Sequence, residues 1–383
     1  MAPIVIIGAG MAAYSVAREF RKLDKATPLL LIAGDAAGLY SKPMLSNAIA
    51  MGKQASQLVS HSAAQMATQL DAVVLPHTRA TGIDVAARSI TTDAGSFDYS
   101  QLVLALGATP IRLPMGGDAA AEVLSVNHLD DYEQLRARLA QAGNDAHVAI
   151  IGAGLIGCEF ADDLLAGGHQ VTLIDPNLLP LAALAAPSLS HGLARAWQGK
   201  RVNLKLGTTV ASVSHLHGAL QLALANGDIF SADLVLSAVG LRPSIALAQA
   251  ALLETGRGIV VDAHGRTSAA GIFALGDCAE YTTAGGRAVM PYVAPLLAAA
   301  RAIASTLAGT PLAIDHKHDA VIVKTPSYKL ALAPPPAGSA GTWVDEHDGE
   351  RTVSRFVDAS GAVRGFGMSA HTPALRQKLL AEM

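Results

Sequence analysis

Two copies of one glycine pattern decide most of what this chain can fold into. The first is Gly8-Ala9-Gly10-Met11-Ala12-Ala13, entered through the β-branched run Ile4-Val5-Ile6-Ile7. The second, 144 residues further on, is Gly152-Ala153-Gly154-Leu155-Ile156-Gly157, entered through His147-Val148-Ala149-Ile150-Ile151. Each reads as a buried strand, a tight turn and a helix. The first glycine makes the turn, the second lets a pyrophosphate approach the backbone, and the third small residue lets helix and strand pack closely. Free N–H groups at the helix start then face the diphosphate. One dinucleotide needs one such cradle, so two cradles imply two dinucleotides. Ile7, Gly8, Ala9, Gly10, Met11 and Ala12 line the first; Gly152, Gly154, Leu155, Ile156 and Gly157 line the second.

The acid that follows the next strand in each unit adds to this. Leu29-Leu30-Leu31-Ile32 runs into Ala33-Gly34-Asp35, with Asp35 standing 27 residues after Gly8. A ribose hydroxyl is one partner for Asp35; a turn aspartate is the competing reading. Gln170-Val171-Thr172-Leu173-Ile174 ends at Asp175, 23 residues after Gly152, where a ribose 2′-hydroxyl is held. Pro176-Asn177-Leu178 bring no cation for a 2′-phosphate, so NADH is expected over NADPH.

The chain has 383 residues, 51% hydrophobic and 15% charged, with a net charge of −3, so large cores are available and no basic run points to nucleic acid. Met1-Ala2-Pro3 leads directly into the first strand, so no signal peptide is expected. The apolar stretch 291–300 ends at Arg301, short of a membrane span. A cytoplasmic protein is expected. Its two cysteines, Cys158 and Cys278, form no C-x-x-C pair, so a closely spaced redox disulfide is ruled out. The pairs His215/His217 and His316/His318 have too few neighbours for a metal site, and none is expected.

The fold class is α/β. Leu102-Val103-Leu104-Ala105-Leu106-Gly107-Ala108-Thr109-Pro110 and Leu234-Val235-Leu236-Ser237-Ala238-Val239-Gly240-Leu241-Arg242-Pro243 are near-repeats, read as crossings between two domains. The boundaries follow: 1–112 with 237–312 for the first dinucleotide, 113–236 for the second, and a small α+β domain over 313–383. Residues 73–90 read as strand, turn, strand; Phe97-Asp98-Tyr99 open the next core strand. Pro295 is placed first in an alanine-rich helix. A β-meander over 342–370 and a closing helix from Pro373 complete the chain.

Four motifs go further: Tyr40-Ser41-Lys42-Pro43-Met44-Leu45-Ser46; Gly152 through Phe160; Ala274-Leu275-Gly276-Asp277-Cys278-Ala279-Glu280; and Val323-Lys324-Thr325-Pro326. With them the chain resembles the FAD/NAD-linked two-dinucleotide oxidoreductases. Within these it is similar to the NADH-dependent reductases that feed rubredoxin, a small acidic iron protein. The resemblance implies a glutathione-reductase-like architecture without the redox disulfide. It places Lys42 and Glu159 at the flavin ring as an ion pair, Arg79 near the FAD adenine and Asp277 on the ribityl chain. Val293 falls at the pyrimidine edge, Lys324 reaches the flavin from the third domain, and Gly240 belongs to the NAD site. Ferredoxin reductases that serve monooxygenases carry R-P-P-L-S-K where this chain has Lys42-Pro43-Met44-Leu45-Ser46-Asn47, which favours rubredoxin.

The implied activity is hydride transfer from NADH to FAD and delivery of electrons to rubredoxin, supplying a monooxygenase such as alkane hydroxylase. Lys53 and Lys329, near Lys42 and Lys324 in sequence, would add to a basic rim for that partner. A ferredoxin reductase, an NADH oxidase and a non-enzymatic FAD-binding redox sensor are the alternatives; an oxidase would want a cysteine near position 42.

Overall fold

A computed structural model describes residues 2–283, 286–317 and 319–383, and contacts divide them into two units. The first unit comprises 2–41, Gln57–Thr109 and Leu241–Lys317. Its centre is a parallel sheet in the order Ile272–Ala274, Gln101–Leu104, Ile4–Ile7, Leu29–Ile32, Val73–Leu75. All four residues of Ile4–Ile7 are buried, as a strand covered on both faces requires. Helix Met11–Leu23 turns Ala13, Tyr14, Val16, Ala17 and Phe20 inward and packs on helix Val293–Leu307, whose Ala299, Ala300 and Ile303 are buried.

The second unit comprises Lys42–Ser56, Pro110–Gly240 and 319–383. Its parallel sheet runs Val202–Leu206, Gln170–Asp175, His147–Ile151, Leu234–Ser237. A three-stranded antiparallel sheet, Val210–Leu216, Ala219–Leu224 and Ile229–Ala232, follows in the chain. The C-terminal segment forms a five-stranded antiparallel sheet in the order Val321–Val323, Leu330–Ala333, Val363–Ser369, Arg351–Val357, Thr342–Asp348, closed by helix Pro373–Ala381. Helix Pro187–Ala196 packs on two of its strands, and Ser188 Oγ donates to Asp345 Oδ1 at 2.9 Å.

The meander and the closing helix stand as read from sequence. Three local expectations do not. Residues 80–98 form a three-stranded antiparallel sheet, Ala80–Asp84, Ser89–Thr92 and Gly95–Asp98. Phe97 and Asp98 therefore close a hairpin, and the core strand begins at Gln101: periodicity alone cannot divide two adjacent short strands. The alanine-rich helix begins at Val293, so Pro295 stands third, where its missing N–H is still one of the unpaired first four. His217 follows the end of its strand in a turn with φ 49°, so it does not share a strand face with His215. His318 lies outside the described residues.

Candidate functional site

The two glycine cradles are alike down to single hydrogen bonds. Gly8 N–H donates to Ile32 O at 2.7 Å, and Gly152 N–H donates to Ile174 O at 2.8 Å. Ala105 N–H reaches Ile7 O at 2.9 Å, and Ala238 N–H reaches Ile151 O at 2.7 Å. Gly8 and Gly152 have φ of 123° and 104°, the left-handed region that only glycine enters cheaply. A Cβ on Gly8 would strike the carbonyl of Ala105, and one on Gly152 would lie 2.8 Å from Ala238 O. At Gly10 and Gly154 a Cβ would meet nothing within 4 Å. These two glycines are the N-caps of helices Met11–Leu23 and Leu155–Ala166; neither helix has a side-chain cap or an acid in its first turn. Each cradle thus presents uncapped N–H groups beside an open backbone surface, which fits a diphosphate.

Around the first cradle, Ile7 and Ala9 are buried, Met11 and Ala12 half-buried. Ala33 is buried; Gly34 and Asp35 are exposed. Asp35 Oδ1 accepts from Ala37 N–H at 2.9 Å. Tyr14 donates its hydroxyl to Ala37 O at 2.6 Å, and burial, reinforced by the Asp35 charge, pushes this phenol up to about 12. Arg79 is exposed at the loop from 76 to 79, its N–H held by Asp93 Oδ1 at 2.9 Å. Asp277 is half-buried in the turn Gly276–Cys278, and Val293, at the helix start, is 42% exposed. Cys158 and Cys278 are free and buried; burial pushes Cys278 up to about 11 and Cys158 higher still, so both are inert thiols.

In the second unit, Leu155 is half-buried, Ile156 is exposed and Gly240 has φ 107°. A Cβ on Gly157 would collide with the Gly152 carbonyl oxygen, so this third position admits glycine alone. Asp175 ends its strand 8% exposed and takes three donors: Ala153 N–H at 2.7 Å, Asn177 N–H at 2.8 Å and Asn177 Nδ2 at 2.8 Å. Of the roughly four lone-pair sites on a carboxylate, about one remains for a ribose hydroxyl.

Helix Leu155–Ala166 carries the most specific chemistry of this unit. Glu159 is fully buried, 0% exposed. Its carboxylate accepts from Ser46 Oγ at 2.6 Å and Lys324 N–H at 3.0 Å, and forms an ion pair with Lys324 Nζ. These contacts put Lys324 on Glu159, where the resemblance put Lys42. Lys42 opens the 3-10 turn Lys42–Ser46 half-buried; Ser46, at the other end of that turn, is the residue aimed inward at Glu159. Asp162 accepts from Trp197 Nε1 at 2.6 Å and Ser327 N–H at 2.8 Å. Asp163 accepts from Ala50 N–H at 2.7 Å and Ile49 N–H at 3.2 Å. Burial pushes Asp163 up to about 6 although both N–H groups and Arg136 pull it down. Spacing i, i+3, i+4 puts all three carboxylates on one helix face. They pin the segments bearing Lys42 and Lys324 to the helix of the second cradle. Sequence reasoning missed Ser46, Asp162 and Asp163. Three acids and no base in an otherwise apolar helix, Leu155–Ala166, was the available signal.

Among the described residues no helix is long and apolar enough to cross a membrane, and no three His, Cys, Asp or Glu side chains group as metal ligands. The pyridine nucleotide-disulphide oxidoreductase family matches residues 2–301, and a rubredoxin binding C-terminal domain matches residues 313–383. Rubredoxin-NAD(+) reductase of Alcanivorax borkumensis is 41% identical over 384 residues, covering 100% of this chain and 99% of that protein. Its counterpart from Acinetobacter baylyi is 38% identical, covering 100% and 98%. The crystal structure of the ferredoxin reductase for the CYP199A2 system from Rhodopseudomonas palustris superimposes with a TM-score of 0.87 at 26% identity, covering 96% of this chain and 91% of that one.

Proposed function

The chain belongs to the pyridine nucleotide-disulphide oxidoreductase family, and from that premise we propose that it is an NADH-dependent flavoprotein that reduces rubredoxin. One observation carries the reading: two complete dinucleotide cradles share a chain with a C-terminal segment of the rubredoxin-binding type. FAD, when bound, accepts a hydride from NADH and gives up electrons singly, which is the cofactor's own chemistry.

The protein's part is binding, orientation and charge. The Gly8 cradle, with Ala33, Gly34, Asp35 and Arg79, holds FAD, and Asp277 and Val293 orient it. The Gly152 cradle, with Asp175 and Gly240, holds NADH. In this reading 1–112 with 237–312 is the FAD domain, 113–236 the NADH domain and 313–383 the rubredoxin domain. Lys42 and Lys324 supply positive charge for an anionic reduced cofactor. Glu159 orients Lys324 and, through Ser46, the turn that begins at Lys42. No general acid or base is required. A monooxygenase such as an alkane hydroxylase is the proposed consumer of the electrons, and two buried free thiols are in keeping with a cytoplasmic location.

The test is anaerobic stopped-flow. NADH should bleach the yellow oxidised flavoprotein, and oxidised rubredoxin should then restore the colour while becoming reduced. A protein that takes up no FAD, or whose NADH-reduced form leaves rubredoxin oxidised, would sink the proposal.

A further inference from the structure

The acid that closes the second cradle does not stand alone. Asp175 Oδ1 accepts from Asn177 N–H and from Asn177 Nδ2, both at 2.8 Å, and Oδ2 accepts from Ala153 N–H at 2.7 Å. Each carboxylate oxygen has about two lone-pair sites. Oδ1 is therefore filled, and Oδ2 has one site left. The edge of a ribose offers two neighbouring hydroxyls. Holding both on one carboxylate takes two free sites, and Asp175 has one.

Asn177 supplies the missing acceptor. A carboxylate only accepts, so the Asn177 amide turns its Nδ2 to Asp175 and carries its Oδ1 on the other side. Among the described residues no group donates to that Oδ1. Asp175 is buried and Asn177 is exposed, so the amide is the more accessible member of the pair. Its place is fixed by backbone: Asn177 O accepts from Gly207 N–H at 3.0 Å, Asp175 O accepts from Thr208 N–H at 3.2 Å, and Pro176 between them has a locked φ. The first cradle shows that this amide is no part of the common plan. There the residue two after the acid is Ala37, whose N–H donates to Asp35 Oδ1 at 2.9 Å and which has no side-chain amide.

We propose that Asn177 is a second selectivity residue of this cradle. The Asp175–Asn177 pair divides the ribose diol of NADH, one hydroxyl donating to Asp175 Oδ2 and the other to Asn177 Oδ1. This rests on the reading of the Gly152 cradle as the NADH site. Two acceptors side by side suit two hydroxyl donors and offer nothing to a 2′-phosphate, whose oxygens need donors. Asp175 then has two parts: it takes one hydroxyl, and it holds the amide with its oxygen outward.

The experiment is isothermal titration calorimetry on oxidised, FAD-loaded full-length protein. The probes are NAD+ and its two analogues that lack the 2′- or the 3′-hydroxyl of the adenosine ribose. Wild-type protein should bind NAD+ about fivefold more tightly than either analogue, the worth of one hydrogen bond. Asn177→Ala should weaken NAD+ by about the same factor. It should then bind NAD+ and one analogue equally while still discriminating against the other. Asp175→Ala should lose the discrimination that Asn177→Ala keeps. Truncation at Asn177 spares its N–H and carbonyl bonds, and the discrimination that remains shows the cradle to be folded. Asn203→Ala, at an exposed position on the neighbouring strand Val202–Leu206, should alter nothing. If Asn177→Ala keeps both discriminations, or loses both together, the amide reads no hydroxyl and the proposal is refuted while the NADH site stands. Wild-type protein that distinguishes only one analogue refutes it equally. If wild-type protein binds none of the three and NADH does not bleach its flavin, the NADH reading of the cradle itself is overturned.

Discussion

The two cradle units share their turn, their glycine geometry and their strand hydrogen bonds, yet their helices are used in opposite ways. Helix Met11–Leu23 is amphipathic: one face is buried, and its charged residues Arg18, Glu19, Arg21 and Lys22 lie off that face, half-buried or exposed. Helix Leu155–Ala166 is buried through eight consecutive residues, Gly157 to Leu164, with three carboxylates among them. The acids after the second strands differ in the same sense. Asp35 is exposed and takes one N–H; Asp175 is buried and takes three. The first helix holds remote segments through Tyr14 and its arginines as donors, whereas the second holds them through buried carboxylates. A charge is worth little where water screens it and much where burial removes the alternative. The comparison therefore predicts large effects in the second unit and small ones in the first.

The largest effect should come from Lys324→Met, which leaves the fully buried Glu159 carboxylate without its cation. Breaking a buried pair this way costs about 3–5 kcal/mol. Differential scanning calorimetry should show the loss as a lower Tm; an unchanged Tm would mean the pair is not a structural clamp. Next is the pH dependence set by Asp163, whose carboxyl rises from 3.8 to about 6 on folding. The folded protein holds this proton longer than the unfolded chain, so the site is most favourable below about 4 and loses stability as pH rises through about 6, by on the order of 3 kcal/mol in all. Denaturant melts between those pH values should show that slope in the wild type and its loss in Asp163→Asn.

The third small position sharpens the comparison directly. Ala13 already carries the Cβ that Gly157 cannot accept without striking the Gly152 carbonyl. Gly157→Ala should cost about 1–3 kcal/mol of overpacking and weaken NADH binding. Ala13→Gly should cost only the helix penalty of about 1 kcal/mol. Equal effects in calorimetry and NADH titration would erase the distinction. Asp175→Ala should raise the NADH KM and narrow the NADH/NADPH ratio, with a lost charged hydrogen bond worth roughly 1–3 kcal/mol. Equal wild-type kcat/KM for the two nucleotides would remove the ribose role from Asp175. Smallest is Lys22→Ala: its 2.6 Å bond to Glu19 is made by a side chain 64% exposed. The change should stay within about 0.2–0.5 kcal/mol, and a drop of several degrees in Tm would contradict the solvent-screening argument.

Both cradles and the strand before each were legible residue by residue, because their geometry is a local property of glycine placement and β-branched runs. Asp175 was legible for the same reason, as the end of a strand whose register the motif sets. Elements without a local signature were misread. The boundary at Tyr99 hides because only Tyr99 and Ser100 separate the hairpin strand from the core strand. The start at Val293 is displaced from Pro295 because proline tolerates any of the first helical positions. The anchoring acids went unread for a different reason: each partner lies more than thirty residues away, Trp197 being 35, Ser46 113 and Lys324 165 residues from its carboxylate.

The sequence by itself thus determined that this chain makes two dinucleotide cradles, that an acid ends the strand following the second of them, and that its two cysteines form no C-x-x-C pair. These follow from short-range sterics and from residue chemistry at fixed spacing. Only the tertiary structure decided which cation meets Glu159. The resemblance named Lys42; the fold brings Lys324 there, its backbone N–H and its ammonium both reaching the carboxylate while Ser46 donates to it as well. A buried carboxylate has few acceptor sites and no water to share, so packing across distant segments, and not sequence proximity, selects its partners.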